Sequence, residues 1–144
     1  MGYFSSLDVG ASGLTAQRLR MDTISQNIAN ANTTRTEDGG PYRRKTVIFE
    51  EKSPNAPFSD YLSQSSKAGN GVRVARIVED KAPFRRMYDP GHPDADEKGY
   101  VMMPNVDIIT EMVNMISATR AYEANVTAIN TSKSIAMKAL QIGK

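Results

Sequence analysis

Apolar residues repeat every seven positions near both ends of this chain, and no other feature restricts its fold as much. Leu7, Leu14, Met21 and Ile28 make one such row, and Ile108, Met115, Tyr122, Ile129 and Ala136 make another. Met112, Thr119, Val126 and Leu140 run beside the second row at i+4, with a break at Lys133. A seven-residue period keeps one edge of an α-helix turned toward a partner helix. The pattern predicts a helix over 5–33, with Ile24 and Ala31 joining its apolar side, and a second over 105–142. Ser5 and Asp8 fit a capping box at the first start. Asn105 or Asp107, following Pro104, starts the second helix, and Gly143 closes it. At 1.5 Å per residue the two would be about 40 and 55 Å long. Gly10 and Gly13 weaken the first helix by about 1 kcal/mol each relative to alanine. Either another backbone comes close there, or the helix is marginal alone.

Most of the glycine and proline falls between the helices. Thr36 to Pro41 (TEDGGP) is a turn cluster. Tyr42–Glu51 and Val72–Glu79 alternate in part and contain β-branched residues, so they read as strands, with Asn70-Gly71 as the turn before the second. Tyr88 to Gly99 (YDPGHPDADEKG) is a polar loop, and Gly99–Met103 reads as a further short strand. The expected fold is α+β: two long terminal helices pairing as an antiparallel coiled coil, with a small β-rich middle region. The expected divisions are an N-terminal helix in 1–33, the β-rich middle in 34–104 and a C-terminal helix in 105–144. A chain of 144 residues suffices for one such domain.

The polar faces of the helices are unusual for surfaces bathed in water. From Met112 to Ser132 the only charges are Arg120 and Glu123, and from Thr23 to Thr34 there are none. A solvated helix face normally carries Lys and Glu, which favour helix and pair at i, i+4. Asn, Thr, Ser and Ala stand there instead. They permit close packing and hydrogen bonds between helices, which points to helices buried on more than one side, as in a polymer.

The sequence argues against most chemistry. There is no cysteine, so disulfides, thiolate metal sites and thiol nucleophiles are excluded, and His92 is the only histidine. His92 lies between Gly91 and Pro93 and reads as a turn residue. Asp89, His92, Asp94 and Asp96 could offer oxygen ligands. As a calcium loop starting at Asp94, however, they would put Lys98 at a ligand position and Asn105 where a glutamate is needed. Gly69-Asn70-Gly71 lacks the third glycine of a dinucleotide loop. Glu50 and Glu51 are adjacent and not in an evident cleft. No catalytic, cofactor or metal site is expected. A net charge of +2, with Arg43, Arg44 and Lys45 as the densest basic cluster, gives no nucleic-acid footprint. No apolar stretch is long enough for a transmembrane helix, so no membrane insertion is expected. The first residues lack the layout of a secretory signal. Met1-Gly2 with Ser6 fits a myristoylation pattern, which is too short to carry weight.

Several segments resemble the flagellar rod and hook axial protein family. They are LDVGASGLTAQRLRMD (Leu7–Asp22), NIANANTTRT (Asn27–Thr36), GGPYRRK (Gly39–Lys45), GVRVARIVED (Gly71–Asp80), YDPGHPDAD (Tyr88–Asp96) and GYVMMPNVDIITEMVNMISATRAYEANV (Gly99–Val126). Asn27–Thr33 looks like the N-terminal signature of the axial proteins, and Ser117–Val126 like the C-terminal one. GGPYRRK, DPGHPDAD and the short length select the proximal-rod branch, and Lys52–Ala68 is the least family-like part. The resemblance implies a structural subunit of the proximal rod, a hollow drive shaft that transmits torque for motility. It implies paired terminal helices around a central channel with the β-rich part outside. Implied partners are further copies, neighbouring proximal rod proteins, distal rod and basal-body ring proteins, and the flagellar type III export apparatus. Export would occur without signal cleavage. Assembly residues are expected along the seams and signatures: Leu7, Leu14, Met21, Ile24, Asn27, Ile28, Asn30, Asn32, Ile108, Met112, Met115, Ile116, Arg120, Tyr122, Asn125, Val126, Ile129 and Leu140. Alternatives are another proximal rod subunit of the same family, a secreted wall-remodelling enzyme and a nucleic-acid-binding module.

Overall fold

The computed structural model describes residues 3–37, 39–52 and 71–142. Helix α1 spans Tyr3–Ala29 and helix α2 spans Ile108–Ile142. Strands β1 (Lys45–Glu51), β2 (Val72–Glu79), β3 (Arg85–Tyr88) and β4 (Tyr100–Met103) lie between them, so the fold is α+β.

The ends of α1 differ from expectation. Ser5 and Asp8 lie inside the helix, which already runs at Tyr3, so they do not form its cap. The C-terminal end comes at Ala29 rather than near residue 33. Asn30 donates its amide side chain back to the Gln26 carbonyl at 2.9 Å, and Thr33 Oγ1 donates to Asn30 Oδ1 at 3.1 Å. Such side chains offer the backbone alternatives to helix, and the run of Asn and Thr here ends it. Helix α2 begins as Asp107 allows. Its carboxylate accepts the Ile109 N–H at 3.2 Å and the Thr110 hydroxyl at 2.6 Å. These bonds, the Thr110 hydroxyl foremost, hold the Asp107 carboxyl below its ordinary pKa.

β1 and β2 form an antiparallel ribbon from Lys45↔Glu79 to Glu51↔Val72, with a bulge between Ile48 and Phe49. The ribbon lies along α1. At one end the Lys45 backbone meets Asn27. At the other, the Val72 N–H donates to Ser12 Oγ at 3.1 Å. Gly71 makes that approach possible: its φ is +87°, and a Cβ there would collide with Ser12. β3 and β4 form a second antiparallel pair, Arg85↔Met103 to Tyr88↔Tyr100. The Tyr88 and Tyr100 rings meet edge to face at 5.3 Å. β3 is absent from the sequence reading. RRMY is short, does not alternate and is exposed throughout.

Among the described residues the core is small: Ala16, Ile24 and Ala31 from the first helix and its exit, Val101, Met103 and Val106 around β4, and Ala118 in α2. Among the described residues, the four largest fully buried side chains are Glu111, Val101, Asn27 and Pro104, and two of them are polar. The centre of the molecule is therefore held as much by hydrogen bonds as by apolar contact.

Candidate assembly surface

The polar centre joins every part of the fold. Asn27 arrives from the end of α1 and Glu111 from the first turn of α2. Arg44 and Tyr42 come from the segment entering β1, Asp80 follows β2, and Asn105 precedes α2. Asn27 Nδ2 donates to Glu111 Oε2 and to the Lys45 carbonyl, both at 2.8 Å. Its Oδ1 accepts the Lys45 N–H at 2.9 Å and the Tyr42 hydroxyl at 3.0 Å. All four bonding positions of this amide are filled. Glu111 Oε1 accepts Arg44 Nε at 2.9 Å and lies 2.8 Å from the other guanidinium nitrogen, with Asn114 adding a bond at 3.3 Å. Arg44 also reaches Thr46 and, at 3.4 Å, Asp80. Burial alone would lower the Arg44 pKa. The bonds and charges of Glu111 and Asp80 outweigh it and hold the guanidinium above its ordinary value. The Tyr42 phenol is pushed up by burial first and then by the charges of Glu111 and Glu79. Asn105 completes the knot, accepting the Arg44 N–H at 2.8 Å and donating to the Asp80 and Ala82 carbonyls.

From this knot the two helices run side by side. Their contacts follow opposite order: Asn27 with Glu111, Met21 with Thr119, Gly13 against Asn125, Gly10 against Ile129. A Cβ on Gly10 would come within 2.7 Å of Ile129, and one on Gly13 within 2.9 Å of Asn125. The two glycines thus mark a close approach by side chains of the facing helix. Among the residues whose burial is described, those buried in α1 are Gly13, Ala16, Thr23, Ile24 and Asn27, and those in α2 are Glu111 and Ala118. Apart from Ile24, the buried seam consists of small and polar side chains.

The apolar rows flank that seam. Leu7, Leu14, Met21 and Ile28 are half-buried, as are Met115, Tyr122, Asn125, Val126 and Ile129. Ile24 and Asn27 are buried, Asn30 is half-buried and Asn32 is exposed. Ile108, Met112, Ile116, Arg120 and Leu140 are exposed. Helices whose inner face is small and polar, and whose apolar side chains stand at the margins and outside, leave apolar surface for other molecules. Ile109 and Val113, absent from the expected set, are among the most exposed apolar residues. They were missed because they fall outside the seven-residue rows. Glu111 was missed because a glutamate in the first turn of a helix is ordinarily a favourable surface charge.

The Tyr88–Gly99 loop is a set of turns. Asp96 Oδ1 accepts the Lys98 and Tyr100 N–H groups, both at 2.9 Å, and Asp89 Oδ1 accepts that of Gly91 at 3.2 Å. His92 Nδ1 accepts the Asp94 N–H at 3.1 Å. Asp94 in turn accepts Thr34 Oγ1 at 2.9 Å, which ties the loop to the exit of α1. No group of three or more His, Cys, Asp or Glu able to hold a metal occurs among the described residues. No described helix is long and apolar enough to cross a membrane. Gly69, Asn70 and most of Lys52–Ala68 lie outside the described residues.

Comparison with known proteins gives consistent matches. Residues 7–35 match the family described as "Flagella basal body rod protein", and residues 97–142 match "Flagellar basal body rod FlgEFG protein C-terminal". The chain is 56% identical to the flagellar basal-body rod protein FlgC of Borreliella burgdorferi over 99% of this chain and 98% of that protein. It is 51% identical to FlgC of Bacillus subtilis over 100% of both chains, and 42% identical to FlgC of Salmonella typhimurium, again over 100% of both.

Proposed function

The chain belongs to the FlgC family of flagellar basal-body rod proteins, and from that premise we propose how its geometry serves a rod. It is a structural subunit of the basal-body rod and not an enzyme. The helices pair as an antiparallel coiled coil and form the inner layer of a hollow proximal rod, with the two β-ribbons outside. Further copies, neighbouring proximal and distal rod proteins and the basal-body rings are its partners. It reaches them through the flagellar type III export apparatus, without a cleaved signal. The observation that carries this reading is the apolar surface the helix pair leaves uncovered: the rows flanking the seam are only half-buried, and Ile109, Met112, Val113 and Ile116 are more than half exposed. A lone subunit would gain more by turning those rows inward, whereas a subunit packed among others uses them all.

The polar knot serves the same role. A shaft that transmits torque needs its outer part fixed to its axial helices. The Asn27–Glu111–Arg44 cluster makes that joint from bonds with defined directions rather than from sliding apolar contact. The test is a cryo-EM map of basal bodies isolated from cells carrying this chain as their sole copy. Both helices are expected in the wall of the rod channel. Density placing the chain outside the rod, or the β-ribbons against the channel, would sink this reading.

A further inference from the structure

The β1–β2 ribbon is fastened to α1 at both of its ends, and the two fastenings are unequal. At the near end the Asn27 side chain bonds both the N–H and the carbonyl of Lys45. At the far end, among the described residues, one hydrogen bond ties the ribbon to the helix: the Val72 N–H donates to Ser12 Oγ at 3.1 Å. Ser12 is aimed by its own helix. Its hydroxyl donates to the Val9 carbonyl at 2.7 Å and keeps lone pairs for Val72. Next to that bond the Gly71 backbone lies against the helix with no side chain between. A Cβ there would collide with Ser12 Oγ and stand 3.3 Å from the Val9 Cα. The Lys52 N–H, bonded to the Gly71 carbonyl at 2.9 Å, closes the ribbon at this point. Ser12 and Asn27 stand about 22 Å apart along α1, and β1 is about 20 Å long, so the ribbon spans the distance between its two fixings.

What stands behind each fixing differs. Asn27 is fully buried and bonded at every position. Ser12 is half-buried and sits between Gly10 and Gly13, and no residue of α1 from Ser5 to Ser12 is buried. On the facing helix, no described residue after Ala118 is buried. A helical stretch with two glycines and no buried side chain opens locally at little cost, and Ser12 Oγ moves with it. We infer that Ser12 and Gly71 form a clasp that depends on assembly: it opens and closes with the first turns of α1 in the free subunit, and it is held shut when those turns are packed in a rod. The inference deepens the rod reading and rests on it. In the free subunit the ribbon is firmly fixed at Asn27 alone. In the rod it is fixed at both ends, so the outer part of the subunit turns with its axial helix. The coupling is reciprocal: what holds Ser12 holds the end of the ribbon, and a held ribbon end steadies Ser12.

The Val72 amide reports the clasp directly, because it donates to Ser12. Its hydrogen exchange is read at single-residue resolution in the proven monomer and in isolated basal bodies. In the monomer it should exchange as fast as the start of α1, while the amides bonded between β1 and β2 stay protected. In basal bodies it should slow by about tenfold or more, the worth of one hydrogen bond. Ser12→Ala removes the acceptor and favours helix, and in that variant Val72 should stay fast in both states. A Val72 amide as protected in the monomer as those bonded across the ribbon would make the clasp part of the finished subunit and overturn the inference. A Val72 amide that stays fast in basal bodies would overturn it too, as would one that slows there equally in Ser12→Ala. The comparison of monomer with basal body uses the unaltered chain, so it decides the matter even where Ser12→Ala fails to incorporate. Absence of the unaltered chain from isolated basal bodies would instead remove the rod reading beneath it.

Discussion

The helix pair is two different structures at its two ends. Around Asn27 and Glu111 it is closed, with both side chains fully buried and bonded, and the β1–β2 ribbon fixed to them through Arg44, Tyr42 and Lys45. Around Gly10 and Ile129 the helices meet through small residues, and beyond Ala136 the last turns of α2 have apolar side chains with no cover in the described chain. The inner seam at one end is completed by the chain itself, while the outer Ile109–Ile116 stripe there and the last turns of α2 at the other end stand exposed. A subunit built this way can carry a finished joint to the assembly site and gain its remaining burial only on joining others.

The largest effect should come from the closed end. Glu111→Ala leaves Arg44 without its main partner and Asn27 with an unused donor. Breaking a buried ion pair from one side costs about 3–5 kcal/mol. Arg44 keeps 24% of its side-chain surface exposed, which places the loss at the lower end of that range. The urea midpoint of the free chain should fall accordingly, and a loss too small to measure would mean that the knot does not hold the fold.

Tyr42→Phe sharpens the comparison with a smaller change. It removes one bond to Asn27 and should cost about 1 kcal/mol near neutral pH. It should also alter the alkaline limb. The folded chain holds the Tyr42 proton above its ordinary pKa, because of burial and the charges of Glu111 and Glu79. The unfolded chain ionises first, so this contribution is present below about pH 10 and is lost as pH rises through the folded value. In Tyr42→Phe that part of the alkaline loss should vanish. An unchanged limb would assign it to other groups.

The smallest effect on the free chain should come from the outer stripe. Val113→Ser touches no bonded group in the subunit and should change its stability by no more than about 0.5 kcal/mol. Cells relying on that variant should swim poorly or not at all. Normal swimming would show that the stripe contributes nothing to assembly.

The helices, β2 and the start at Asp107 followed from periodicity, β-branched residues and a capping side chain, all of which are local. The seam did not, because the seven-residue rows hold the large apolar side chains while Gly13, Ala16, Thr23 and Ala118, buried between them, are small and carry no hydrophobic period. Asn27 was marked, but only through its place in a family-like signature. Its partners Arg44 and Glu111 are far away in sequence, and each has an ordinary local reading: one in a basic cluster, the other in the first turn of a helix. Phase offers one clue. Glu111 stands seven residues before Ala118 and fourteen before Asn125, in a row otherwise made of small and uncharged side chains. A lone acid in such a row is a candidate for burial. β3 carries no comparable sign, since Arg85-Arg86 on an exposed ribbon reads as loop.

Hydrogen exchange on the free chain, at a concentration where it is proven monomeric, decides whether the inner seam of the helix pair is finished around Asn27 and Glu111 and unfinished toward the other end. Isolated helices gain most of their stability from packing, and local opening follows the buried contacts. Strong protection is expected at Thr23–Asn27, Glu111–Ala118 and the β1–β2 ribbon. Weak protection is expected from Leu7 to Leu14 and close to none from Ile135 to Ile142, with both regained in isolated basal bodies. Protection across Leu7–Leu14 and Ile129–Ile142 as strong as that around Asn27 and Glu111, in the monomer, would contradict this expectation.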